Sequence, residues 1–173
     1  MTAGTPTPTP TKPYRPWPMI LVAVFLLGWD RWLKGVAWAI GEGGMAENLL
    51  GLPVDLRYFL NKGAVFSLPV PDLVLWPLAA AAAGLMMYLL ARSWRVAPVA
   101  ATGLLYVLLG GASNLIDRAI LGGTIDYIIF FDRSAVNMAD GMILGGAIAA
   151  YFGWRRAEIK PKTEFSTETG ETE

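Results

Sequence analysis

The sequence predicts an all-α membrane protein: four transmembrane helices, with a small extracytoplasmic β-sheet or hairpin element between them. Three observations predict it. Of 173 residues, 54% are hydrophobic and 16% charged, with a mean hydropathy of +0.45, greasier than an ordinary soluble domain. Four apolar stretches, roughly 17–39, 73–91, 96–116 and 138–154, each approach the ~20 residues a helix needs to cross ~30 Å of hydrocarbon. The longer connections carry polar–apolar alternation and turn signals, which is strand patterning.

Composition also excludes function classes. Net charge is zero, so no basic surface argues for nucleic acid. The chain has no cysteine, which removes disulfides, thiolate metal sites and cysteine nucleophiles. It has no histidine, which removes Ser-His-Asp triads, histidine zinc sites and the usual base near neutral pH. Catalysis, if any, falls to carboxylates, lysine, hydroxyls or an acquired cofactor.

Taken in order, the opening TAGTPTPTPTKPYRP is low-complexity Thr/Pro sequence, so residues 1–16 read as a flexible cytoplasmic tail. The four-span core is 17–155, and the polar, acidic 156–173 reads as a second flexible cytoplasmic tail. The first span has two readings. Lys12 and Arg15 before an apolar run, with Ala37-Trp38-Ala39 behind it, fit a cleaved signal peptide; Asp30, Arg31 and Lys34 beside the would-be cut, and the three later spans, favour a retained anchor. Asp30 and Lys34 stand at i and i+4 in the acid-first order that suits an ion pair, structural or functional.

Next, VDLRYFLNKGAVFSL alternates and then turns at Asn61-Lys62-Gly63, a hairpin or small sheet on the outer surface. Asn61 is either a turn residue or a group pointing back over the membrane. Spans two and three meet at a tight turn holding Arg92 and Arg95. Span three ends in GGASNLIDR. There Asp117 meets the disfavoured end of the helix dipole and needs a partner, for which adjacent Arg118 is the obvious candidate. GTIDYIIFF reads as a short strand whose only charge is Asp126; burial there would raise its pKa. Asp132 and Arg133 read as a solvated loop tip.

Span four opens with VNMAD. Asn137 and Asp140 repeat the Asn-x-x-Asp of Asn114 and Asp117, and i, i+3 residues share a helix face. Asn137 is equally well a helix cap. Asp140, on a first turn, gains from free N–H groups and the dipole, which favour its anion. The small residues of LLGGAS and LGGAIAA let spans three and four approach closely, which would bring the two Asn-x-x-Asp faces together.

Lysine and arginine set the orientation. Eight basic residues (Lys12, Arg15, Arg92, Arg95, Arg155, Arg156, Lys160, Lys162) fall on one side, against six spread over the longer loops with nine acids. Both termini are therefore expected inside. Asp30, Lys34, Asn61, Asn114, Asp117, Asp126, Asn137 and Asp140 then gather at the outer rim, which marks a site. Two carboxylates pushed in opposite directions, Asp126 towards its acid and Asp140 towards its anion, are what a water-activating pair requires.

Together, Asp30-x-x-x-Lys34, Asn61-Lys62-Gly63-Ala64-Val65-Phe66, the stretch from Gly110 to Arg118, Asp126, and Asn137-Met138-Ala139-Asp140 resemble lipoprotein signal peptidase, the signal peptidase II family. The resemblance covers roughly 17–155. It implies a four-span aspartic peptidase of the bacterial cytoplasmic (inner) membrane, with its active site at the outer face. Such an enzyme needs no metal or organic cofactor, acts on diacylglyceryl-prolipoproteins beside membrane lipids, cuts before the lipidated cysteine, and is inhibited by globomycin. It implies Asp126 and Asp140 as the catalytic pair, although spacing alone leaves Asp117 open as the partner of Asp140. Asn61, Asn114, Arg118 and Asn137 would hold substrate or catalytic groups, and Asp30, Lys34 and Asp117 would support them. Departures from the pattern are the 14-residue interval from Asp126 to Asp140, Val136 before the Asn, Ser113 for a common Gly, and Val65 for a small residue. A rival reading is a non-catalytic four-span carrier or scaffold whose acids bind a cation through oxygens. A carrier, however, should place its acids near the bilayer midplane, and these lie at one rim.

Overall fold

The computed structural model describes residues 14–41, 54–63, 70–131 and 134–159. Four long helices carry the chain: α1 (Trp17–Ile40), α2 (Asp72–Val96), α3 (Pro98–Leu121) and α4 (Met138–Ile159). Three strands, β1 (Val54–Asn61), β2 (Thr124–Phe130) and β3 (Ser134–Val136), form one antiparallel sheet in the order β1-β2-β3.

The helix ends have local causes. Pro18 and Pro98 sit in first turns, where the missing N–H is not needed. Gly122 closes α3 in the left-handed region at φ 69°, its N–H donating to the Arg118 carbonyl at 3.0 Å. Only Ala97 separates α2 from α3. Arg92 and Arg95 therefore belong to the last turns of α2 rather than to a loop, because nothing halts that helix before the residue preceding Pro98. Likewise α3 runs one turn past Ile116, so Asp117 and Arg118 lie within it.

Helices α2 and α3 are each long and apolar enough to cross a membrane, with mean hydropathies of 2.0 and 1.7. Every eighteen-residue window of α1 contains Asp30, Arg31 and Lys34, and α4 carries Asp140, Arg155 and Arg156; hydropathy alone does not mark these two. The outward faces of all four helices are apolar. On α1 they form an aromatic run, with Phe25 stacked on Trp29 at 5.8 Å and Trp29 against Trp32 at 5.2 Å.

Helices α3 and α4 form the most extensive interface, and α2 packs chiefly on α3. The α3–α4 seam depends on small residues. A Cβ on Gly146 would stand 2.5 Å from the Gly103 carbonyl oxygen, and one on Gly110 2.5 Å from that of Ala139. The close approach expected from LLGGAS and LGGAIAA is thus present.

The expected strands form, but the pairing is longer in range than a hairpin within 54–68. Strand β1 pairs with β2: Asn61 faces Thr124 and Phe59 faces Asp126, with a register shift between Leu56 and Phe59. The return arm of a local hairpin, and the Asp132–Arg133 loop tip, lie outside the described residues. Beneath the sheet, Ile125 and Tyr127 pack on Ala37, a small core that fixes β2 against the C-terminal end of α1.

Candidate active site

A buried ionic cluster underlies the site. On α1, Asp30 is fully buried and Lys34 nearly so. Their spacing closes an ion pair, Lys34 Nζ to Asp30 Oδ2 at 3.1 Å, as the acid-first order suggested. Lys34 also lies 2.9 Å from Asp117 Oδ2, and Arg31 pairs with Asp117 Oδ1. Two acids and two bases therefore neutralise one another, with Asp30, Lys34 and Asp117 buried and the Arg31 side chain 38% exposed, and pairing is the condition under which buried charge is tolerable. Asp117 further accepts the Ile125 N–H at 3.3 Å, tying α3 to β2.

The expected Asp117–Arg118 salt bridge is absent. Neighbouring residues on a helix diverge by about 100° and do not face each other, so Asp117 turns in to α1 while Arg118 turns out. Arg118 instead donates to the Gly63 carbonyl just beyond β1. Asn114 and Asp117 do share a face, but they meet through Lys34 rather than directly.

Three asparagines turn this frame into a site, by the same device each time. Asn114 Oδ1 accepts from Lys34 Nζ at 2.8 Å, so its amide NH2 faces outward and donates to Asp140 Oδ1 at 2.8 Å. Asn61 Oδ1 accepts the Gly63 N–H at 3.0 Å, leaving its NH2 to donate to Asp126 Oδ2 at 3.0 Å. Asn137 Oδ1 accepts the Asp140 N–H at 2.9 Å, leaving its NH2 for Asp126 Oδ1 at 2.7 Å. In each case an occupied oxygen dictates which way the donor points.

Asn137 is also the start of α4. Its own N–H donates to Asp140 Oδ2 at 3.1 Å, so Asn137 and Asp140 cap the helix reciprocally. The other free N–H groups find partners outside the helix: Met138 donates to the Tyr127 hydroxyl at 2.9 Å and Ala139 to Asp30 Oδ1 at 3.2 Å. Capping and site-building, alternatives in the sequence, are one structure here.

Asn137 contacts both carboxylates, so Asp126 and Asp140 flank one residue. Asp126 is 2% exposed, and its pKa is pushed up to about 6. Burial is the main cause; the nearby Asp140 charge adds to it, and the amides of Asn61 and Asn137 and the charge of Lys34 oppose it. Asp140, half-exposed on a helix first turn, accepts from the Asn114 amide and from the Asn137 N–H. The arrangement holds one buried carboxyl, inclined to keep its proton, beside one that is half-exposed.

Arg31, Ser113 and Tyr127 complete the site, and the sequence alone assigns none of them a role in it. Ser113 and Tyr127 donate to Asp30 at 2.6 and 3.1 Å. Strand alternation could have found Tyr127, since the residue after Asp126 must face the opposite side, towards α1. A half-open cavity of about 200 Å³ lined by Arg31, Lys34, Trp38, Asp117, Ile120 and Ile125 lies behind the cluster and reaches neither Asp126 nor Asp140. Among the described residues no three acids converge as a metal-binding group.

The chain is similar to known proteins. A family model described as signal peptidase (SPase) II matches residues 22–154. A lipoprotein signal peptidase of Mesorhizobium japonicum is 32% identical over 163 residues, covering 87% of this chain and 94% of that one. One from Neisseria meningitidis serogroup C is 29% identical over 146 residues, covering 79% and 86%. Among solved structures, one described as a bacterial membrane enzyme at 2.3 Å superposes with a TM-score of 0.66 over 87% of this chain and 95% of that chain, at 18% identity, a likeness of fold.

Proposed function

Since the chain belongs to the signal peptidase II family, we propose that it removes signal peptides from prolipoproteins by aspartic chemistry, with Asp126 and Asp140 as the catalytic pair. The observation that carries this reading is the pair of carboxylates held by Asn137 in unlike environments. Asp117 is the weaker partner for Asp140, because Arg31 and Lys34 already neutralise it.

Asp140, ionised, takes a proton from a water molecule. The water oxygen attacks the scissile carbonyl carbon while protonated Asp126 hydrogen-bonds the carbonyl oxygen. The tetrahedral intermediate then collapses: the C–N bond breaks, the departing amine takes the proton from Asp140, and Asp126 keeps its own. Asn61, Asn114 and Asn137 hold the two carboxylates in register throughout. Asp30, Lys34 and Asp117 act as the frame behind them.

The four helices are read as four spans of the cytoplasmic membrane, both termini inside and the site at the outer rim. That depth suits cleavage just before a diacylglyceryl-modified cysteine, whose acyl chains stay in the bilayer, and globomycin-type inhibitors would compete there. The test is processing of a lipidated prolipoprotein by Asp126→Asn and Asp140→Asn variants at matched expression. General acid–base groups contribute about 10²–10⁴-fold, so each variant should lose at least a hundredfold in rate. Normal processing by either removes that residue from the pair, and cleavage abolished by a chelator would favour a cation-dependent reading.

A further inference from the structure

Every buried polar side chain in the frame described above has a partner, down to the Ser113 hydroxyl on Asp30 at 2.6 Å. Thr124 does not. Among the described residues its Oγ1 is the one buried side-chain polar atom without a hydrogen-bond partner, although Thr124 is only 3% exposed. Burying a hydroxyl in that state is unfavourable, and valine would fill the same space in a strand without that cost. Apart from Asp126, its neighbours along β2 are Ile125, Tyr127, Ile128, Ile129 and Phe130.

Its position is specific. Thr124 lies directly opposite Asn61 across the β1–β2 ladder, and directly opposed residues place their side chains on the same face. Thr124 and Asp126, at i and i+2, share that face as well. Asn61 crosses the diagonal to donate to Asp126 Oδ2 at 3.0 Å, while Ile125 and Tyr127 pass to the other face and pack on Ala37. The unpartnered hydroxyl is therefore on the side of the sheet that carries the proposed catalytic acid.

We propose that the Thr124 hydroxyl is a substrate-binding group that hydrogen-bonds a main-chain amide of the prolipoprotein two residues from the bond being cut. The interval follows from strand geometry. Thr124 and Asp126 are about 7 Å apart along β2, and an extended peptide advances by the same ~3.3 Å per residue. A peptide with its scissile carbonyl at Asp126 thus brings the amide two residues away to Thr124. The proposal rests on Asp126 being catalytic.

The test compares the full chain in detergent with Thr124→Val and Thr124→Ser, reading kcat/KM on a diacylglyceryl-prolipoprotein peptide together with Tm. Thr124→Val should lose about tenfold in kcat/KM, the equivalent of one hydrogen bond, while its Tm holds or rises because no partner in the fold is lost. Thr124→Ser should recover most of the activity. Wild-type kcat/KM in Thr124→Val, or a loss matched by a fall in Tm, overturns the proposal: the hydroxyl would be idle, or would serve the fold. Asp126→Asn in the same assay keeps the two readings apart. If it cleaves normally, the catalytic assignment fails; if it is inactive while Thr124→Val is not impaired, only this inference fails.

Discussion

Asp126 sits where its protonation state enters both stability and chemistry. Its pKa in the fold is about 6, against an ordinary 3.8, so the folded chain binds that proton more tightly than the unfolded chain does. The sign follows: the stability Asp126 contributes is fully present below about pH 4 and is lost as the pH rises through about 6. A Tm series in detergent across that window should show the decline in the wild type, and Asp126→Asn should lack this component. Equal slopes in the two proteins would mean that the acid titrates normally. The residues that create this environment were unevenly legible. Asn61, Asn114 and Asn137 were visible as polar residues at apolar boundaries, but which carboxylate each serves depends on where its oxygen is anchored, and that is a tertiary fact. Arg118 shows the limit from the other side. Adjacency in sequence suggested a salt bridge with Asp117 that helix geometry forbids, and the real partner, Arg31, is 86 residues away.

The elements were easier to foresee than their ends. Composition located all four helices because a long apolar run has few alternatives, while α2 and α3 outran their apolar cores since a helix continues through Arg92, Arg95, Asp117 and Arg118 until Pro98 or Gly122 stops it. The α3–α4 seam was legible as small residues, but not which glycine of each pair carries it. In the structure Gly146 abuts the backbone of Gly103 and Val107, whereas a Cβ on Gly145 would meet nothing within 4 Å. Gly146→Ala should therefore cost about 1–3 kcal/mol through overpacking. Gly145→Ala should be neutral or slightly stabilising through helix propensity. Tm in detergent separates them, and equal effects would mean that the seam is loose enough to absorb a methyl group.

At the scale of the whole molecule the orientation is the open prediction. The chain has no cysteine, so single cysteines can report on sidedness without background. Lys62 and Arg95 are both exposed, at opposite ends of the proposed spans. In intact cells a membrane-impermeant maleimide should label Lys62→Cys at once, and Arg95→Cys only after permeabilisation. The reverse order would invert the topology and move the site to the cytoplasmic side. Sidedness was legible only as a modest excess of basic residues. The convergence of α1, β1, α3, β2 and α4 on one point was legible only as polar residues gathered at one rim, because the pairing of β1 with β2 spans more than sixty residues of chain.

That convergence has a consequence in time. The first turn of α4 is closed by the Tyr127 hydroxyl, by Asp30 from 109 residues earlier, and by its own reciprocal Asn137–Asp140 contact. A nascent chain with three helices inserted has neither Asn137 nor Asp140 and no finished end to α4. On the proposed assignment the site has no working half: the chain would become a protease only with its last helix in place, and an unfinished copy would not cut its neighbours during synthesis.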